Sequence, residues 1–220
     1  VKPIIHECEQ RSPEWFALRA GRLTGSAADA ITAKPLKSGG EPAVRRDLRV
    51  QLAIEILTGK PVQNDVYVSA AMQRGIDLEA KARDAYEART GNIVRQTGFV
   101  THPVLQGIGC SLDGDIRNFE GILEVKCPKS ATMVGYWTEG GLPTEYVPQV
   151  MHNMLVTGAA WCDFVAYDDR MPEGLEFFMV RVTREQLQLE EYEAKVLAFI
   201  REVDGQVGLL RHLASKAAGA

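Results

Sequence analysis

The 220-residue chain reads as an α/β protein with a mixed central β-sheet flanked by helices. Three observations predict this. Apolar residues recur at helical spacing up to about residue 90, the pattern then shifts to short β-compatible runs, and one helix separates that cluster from two further strands and a long terminal helix. No repeat interrupts the order, and the length suits one core, so a single domain over 1–220 is expected, with about 205–220 as the terminal helix end and a frayed Ala/Gly tail.

Each element has a local cause. Ser12-Pro13-Glu14 has the order N-cap, N1 proline and first-turn acid, so a helix carrying Trp15, Leu18 and Arg19 starts there and stops at Gly21. A short helix follows from near Ser26, then a polar, proline-bracketed loop from Lys34 to Pro42 with the composition of a mobile segment. Leu48, Leu52 and Ile56 at four-residue spacing give a helix ending at Gly59, and Ser69 to Arg89 gives another closed by Gly91. Ile93–Val100, Cys110–Arg117 and Ile122–Lys126 read as strands, the last two joined by the hairpin-like Asn118–Gly121. Thr144–Thr157 suits a helix ending at Gly158, with Pro148 tolerated in its first turn. Trp161–Tyr167 and Leu175–Val182 complete the strands, and Thr183–Gln186 matches a capping box ahead of the terminal helix.

Composition narrows the function classes. A hydrophobic fraction of 45% and a charged fraction of 25% are those of an ordinary globular protein. No apolar run approaches a membrane span, and Val1–Gln10 has a proline and charges where a secretory core would lie, so a cytoplasmic protein without membrane contact is expected. Cys8, Cys110, Cys127 and Cys162 lack C-x-x-C spacing, which argues against a zinc ribbon, a disulfide scaffold or a clustered iron–sulfur site and for reduced, partly buried thiols. A formal net charge of −4 argues against a protein that coats nucleic acid nonspecifically. Charge is uneven, however: Lys34–Arg49 carries five bases against two acids and Asp168–Asp204 ten acids against five bases, so one face is expected to attract DNA while another repels it.

The chemistry-bearing pattern is an E-x-K triplet. With 18 Glu and 9 Lys about one such triplet is expected by chance, and the chain has three. Glu79-Ala-Lys81 and Glu193-Ala-Lys195 lie in predicted helices, where positions i and i+2 point apart. Glu124-Val-Lys126 lies in a predicted strand, where i and i+2 share a face, and the hairpin folds Asp113 back beside it. Two carboxylates and a lysine at one point of a sheet suit magnesium or manganese beside a lysine that orients or helps to deprotonate a water, which is the equipment of phosphodiester hydrolysis. Spacing alone leaves a cross-strand salt bridge on a solvated face as an equal alternative.

Asp113 followed by Glu124-Val-Lys126-Cys-Pro128 resembles the D…(D/E)-x-K pattern of restriction-endonuclease-like nucleases, and the longer string Leu123–Pro128 resembles the phage lambda exonuclease and YqaJ-type viral recombinase family in particular. Trp15-Phe-Ala-Leu-Arg19 with Leu23-Thr-Gly-Ser26, Gly75-Ile-Asp-Leu-Glu79 and Tyr146-Val-Pro-Gln149-Val resemble further blocks of that family, in its order, over about Glu9 to Glu190. The resemblance implies a restriction-endonuclease-like core. It implies a metal site of Asp113, Glu124, the Val125 carbonyl and Glu79 holding two Mg2+ for which Mn2+ can substitute, with catalysis by Asp113, Glu124, Lys126 and Gln149. It also implies a pocket of Arg19, Ser26 and Ser111 for a terminal 5′-phosphate, which a guanidinium fork and hydroxyl donors suit chemically. Residue by residue there are plainer readings: a Glu79–Arg83 surface pair, a solvated Gln149 and a surface-charge Arg19. Met151 stands where that family leads one to expect another polar residue, and His152 reads as a helix-surface histidine.

The implied activity is degradation of linear double-stranded DNA from the 5′ end to mononucleotides by a homotrimeric ring, leaving 3′ overhangs for a single-strand annealing protein. The alternatives are a structure-specific or restriction-like endonuclease on the same core and a DNA-end-binding module on an inactive one. The possible phosphate pocket favours an exonuclease over the first, and the intact Asp113, Glu124 and Lys126 argue against the second.

Overall fold

In the computed structural model, which describes residues 2–35, 39–62 and 70–219, the strands fall into two mixed sheets flanked by helices. The first sheet has the order β1 (Ile4–His6), β4 (Phe99–Thr101), β5 (Ile108–Cys110), β2 (Leu23–Thr24), with β2 parallel to β5. The second has the order β3 (Val94–Arg95), β6 (Gly114–Ile116), β7 (Gly121–Lys126), β8 (Trp161–Tyr167), β9 (Phe177–Thr183), in which only β7 and β8 run parallel. Helices are α1 (Pro13–Arg19), α2 (Ala28–Thr32), α3 (Ala43–Thr58), α4 (Ala70–Thr90), α5 (Ser130–Glu139), α6 (Val147–Thr157) and α7 (Leu189–Ala218).

The expected caps form. Ser12 accepts from the Trp15 N–H at 3.2 Å to start α1, and Gly59 and Gly158 close α3 and α6 with φ of 65° and 75°, a conformation that costs glycine little. The Thr183–Gln186 box is present, but it heads a 3₁₀ turn over Arg184–Gln186, and α7 starts only at Leu189. That helix then continues to Ala218, so the Ala/Gly tail is helical almost to its end. Two predicted strands are corrected. Ile93–Val100 divides into β3 and β4, and Cys110–Arg117 into the end of β5 and β6, because the chain crosses from one sheet to the other at 96–98 and again at 111–113. β1, the two-residue β2 and α5 were not anticipated. Part of the Lys34–Pro42 loop, 36–38, and the predicted helix start at Ser69 lie outside the described residues.

Alternation along β7 sets the layers. Leu123 and Val125 pack with Val165 and Trp161 of β8 under Ala82 and Tyr86 of α4, whereas Ile122 and Cys162 face the core built by α6 and α7. Phe164 and Ala166, farther along that same face of β8, pack under Met133 and Tyr136 of α5. Glu124 and Lys126 therefore emerge on the α6 face, opposite α4. All four cysteines are free thiols, Cys110 and Cys162 buried and Cys8 and Cys127 half-buried. No helix among the described residues is long and apolar enough to cross a membrane.

Candidate active site

The β6–β7 register pairs Gly114 with Leu123, which sets Asp113, one residue before β6, beside Glu124. The Val125 N–H donates to Asp113 Oδ2 at 2.7 Å and fixes that carboxylate against the strand. Glu124, 1% exposed, has both oxygens held. Lys126 Nζ donates to Oε1 at 2.5 Å, Gln149 Nε2 to the same oxygen at 2.6 Å, and Asn153 Nδ2 to Oε2 at 3.1 Å. Gln149 and Asn153 are one turn apart on α6, so both face β7. Lys126 Nζ also lies 5.0 Å from the centre of the Tyr146 ring, a cation–π contact.

Burial, and then the neighbouring Glu124, push the Asp113 carboxyl well above the usual carboxylate range, against the opposing effects of Lys126 and the Val125 N–H. Burial would lower Lys126, but Glu124 and Asp113 outweigh it and hold the ammonium above its ordinary value. Two carboxylates thus crowd one lysine in a dry setting, and the cost of ionising both, which raises Asp113, is what a hard divalent cation would offset. Among the described residues no third Asp, Glu, His or Cys completes a metal-binding group with them. The donor set therefore fits an ion that keeps most of its waters and takes few protein ligands, as magnesium does.

A second constellation adjoins the first. The Arg19 guanidinium donates to Ser111 Oγ at 3.2 Å, Ser26 Oγ at 3.1 Å and Thr24 Oγ1 at 3.2 Å. It lies over the Trp15 ring at 4.2 Å, and the Trp15 indole N–H donates to Ser111 Oγ at 2.8 Å. Arg19, Ser26 and Ser111 are thus brought together, and the structure adds Thr24 and Trp15, which the sequence reading had quoted only as parts of a motif. The two constellations touch. Ser111 and Asp113 belong to the same crossover, and Gly25, between Thr24 and Ser26, abuts Asn153 and Gln149 so closely that a Cβ there would overlap the Asn153 amide oxygen.

The other sequence candidates are placed as follows. Glu79 accepts from Arg83 at i,i+4 and lies 4.0 Å from Arg11; among the described residues no hydrogen bond joins it to Glu124 or Lys126, although it adds to the field that raises Asp113. Val125 is buried between its sheet and α4. Gln149 is turned onto Glu124 rather than into solvent. Met151 packs on the core, and the second α6 amide at the site comes instead from Asn153, which sequence reasoning missed although its i+4 spacing from Gln149 was visible. His152 is not on the surface as expected: it is fully buried, with Nδ1 2.9 Å from Tyr192 Oη and Nε2 3.1 Å from the Gly109 carbonyl. Burial lowers its pKa to about 4, so it ties α6 to α7 and β5 as a neutral ring.

The family model of the YqaJ-like viral recombinase domain matches residues 14–160, which span the phosphate-type pocket, the carboxylate pair and α6. The chain belongs to this family. Among solved structures, the YqaJ-like chain is similar to an alkaline exonuclease, LHK-Exo from Laribacter hongkongensis, at 36% identity and TM-score 0.82, over 94% of this chain and 100% of that one. A second structure of LHK-Exo, in complex with dAMP, matches at 35% identity with the same coverage and TM-score. A phage-related exonuclease from Haemophilus somnus 129PT, at 14% identity and TM-score 0.59 over 88% of this chain and 96% of that one, shares the fold. No curated protein sequence matches. The YqaJ-like family and the fold shared with an alkaline exonuclease support a nuclease function.

Proposed function

We propose that the chain is a magnesium-dependent 5′-to-3′ exonuclease of the cytoplasm that degrades linear double-stranded DNA to 5′-mononucleotides and leaves 3′ single-stranded overhangs for phage-type recombination. One observation carries the reading: Asp113, Glu124 and Lys126 converge one short crossover away from the ring of donors around Arg19. A phosphate monoester in that ring would meet a guanidinium and three hydroxyls, and the next phosphodiester along the strand would lie towards Asp113 and Glu124. The relative crystallised with dAMP, a mononucleotide, is consistent with that product class.

Asp113, Glu124 and the Val125 carbonyl would hold the ions, two Mg2+ with Mn2+ able to substitute, and Glu79 would add a carboxylate from α4. When bound, the metal supplies Lewis-acid polarisation of the phosphodiester and a more acidic water. The protein's own part is positioning. Lys126 keeps its proton in the resting site and so acts as a hydrogen-bond donor, first to Glu124 and then to the attacking water or a phosphoryl oxygen. Gln149 holds the Glu124 oxygen that Lys126 also holds, and Arg19 anchors the DNA end. A homotrimeric ring with a basic inner channel would reconcile DNA binding with a net charge of −4, and the overhang it leaves is the substrate of a single-strand annealing protein.

The test is digestion of end-labelled linear duplex with magnesium, with and without a 5′-phosphate, beside a covalently closed circle. Release of mononucleotides from the 5′ label, faster on phosphorylated ends and absent on the circle, is expected. Cutting of the circle would replace this reading with an endonuclease on the same core.

A further inference from the structure

The geometry points to Asn153 as a positioning residue for the metal-binding carboxylate of Glu124, held in place by the close approach of Gly25. The inference rests on the nuclease reading above and extends it to residues outside the D…E-x-K set. The Asn153 amide turns its Nδ2 to Glu124 Oε2, at 3.1 Å, so the amide donates and the carboxylate oxygen accepts. Lys126 and Gln149 both load Oε1, which among the described residues leaves Asn153 alone on the other oxygen. Without it the carboxylate would be held from one side only and free to rotate about its last bond.

The other end of the amide explains the glycine. Asn153 is 1% exposed, and its Oδ1 meets no hydrogen-bond donor among the described residues. An orphaned buried acceptor is costly, so something else must keep the side chain there. That constraint is the Thr24–Ser26 turn: an added Cβ on Gly25 would overlap Asn153 Oδ1 and stand 3.2 Å from its Cγ and 3.4 Å from Gln149 Cγ. The turn whose flanking hydroxyls bind Arg19 therefore braces the amide that sets Glu124. Residues that support a metal ligand in this way usually weaken metal binding about ten- to a hundredfold when removed.

The experiment is calorimetric titration of metal-free protein with Mn2+, comparing wild type, Asn153→Ala, Gly25→Ala and, as reference, Asp113→Asn. Asn153→Ala is expected to weaken binding per site about tenfold, with the number of sites per folded chain unchanged, since a misfolded fraction would lower the number rather than the affinity. Gly25→Ala, which leaves the α6 sequence untouched, should reproduce the loss by displacing the amide. In DNA digestion at saturating metal Asn153→Ala should lower kcat with KM for DNA and the preference for 5′-phosphorylated ends unchanged. Wild-type affinity in Asn153→Ala, with binding lost in Asp113→Asn, would overturn the role of Asn153 alone. Wild-type affinity in Asp113→Asn would remove the metal site itself and this inference with it.

Discussion

Asp113 and Lys126 lie in the same cluster but differ in what their loss should do. Asp113→Asn removes the charge proposed to ligate the ions and little volume, so cleavage should vanish while DNA binding persists. Lys126→Ala should also cut turnover severely yet leave metal affinity near that of wild type, because the ammonium donates to Glu124 and to no ion. Calorimetry with magnesium beside single-turnover digestion separates the two, and a large loss of metal binding in Lys126→Ala would reassign the lysine. Arg19 belongs to the other constellation. Arg19→Ala should slow digestion of 5′-phosphorylated duplex strongly and of 5′-hydroxyl duplex much less, because only a phosphorylated end would offer its guanidinium an anion. Initial rates on both ends check this, and an equal fractional loss would show that Arg19 serves the fold through Thr24 and Ser111. At this scale the sequence was most legible where chain geometry alone acts: Glu124 and Lys126 share a face because a strand alternates. Asn153 and Thr24 were not legible, since their contacts depend on how α6 crosses the Thr24–Ser26 turn.

Among the elements, α6 has the most packing partners at stake, and His152 is its anchor. The Gly109 carbonyl can only accept, so Nε2 carries the proton and Nδ1 takes the Tyr192 hydroxyl, a tautomer that a second proton would destroy. The folded pKa, about 4, lies below the ordinary 6.5. Its contribution to stability is therefore present above pH 6.5 and drains away as pH falls towards 4, by roughly 3 kcal/mol in all. His152→Gln, which keeps a donor and an acceptor without titrating, should lose correspondingly less between pH 7 and pH 4.5 in urea unfolding of the metal-free protein. Parallel losses in the two proteins would exclude the histidine as the cause. The histidine was misread because helix periodicity reports one buried face, whereas α6 is buried from Val150 nearly all round to Thr157. The split strands were misread because the crossings at 96–98 and 111–113 are only three residues long, although Gly98 and Asp113 are poor strand formers. By contrast α1, α3 and β8 have their own signals in Ser12-Pro13, Gly59 and the spacing of Trp161, Phe164, Val165 and Tyr167, and they appear where expected.

For the whole molecule, two of the five bases of Lys34–Arg49 are taken up within the fold, whereas Lys34 and Arg46 are exposed. Arg45 and Arg49 pair with Glu41 and with Glu202 of α7, so acidic and basic segments neutralise one another where α3 meets α7. Assembly into the proposed ring would concentrate positive charge around DNA, and sedimentation should then give three times the 24.2 kDa of one chain. A monomer at working concentration would remove the ring from the proposal. The crossover that carries Ser111 and Asp113 between the sheets has a metric consequence. Two residues of backbone span at most about 7 Å, comparable with one phosphate-to-phosphate step of a DNA strand, and both ends of this segment are pinned, Ser111 by Trp15 and Arg19 and Asp113 by the Val125 amide. With the end phosphate held at Ser111 and the ions at Asp113, as proposed, the segment would act as a ruler one nucleotide long. Each bite should be a single nucleotide whatever the base, and chromatography of the earliest products would show dinucleotides only if the gauge were set elsewhere.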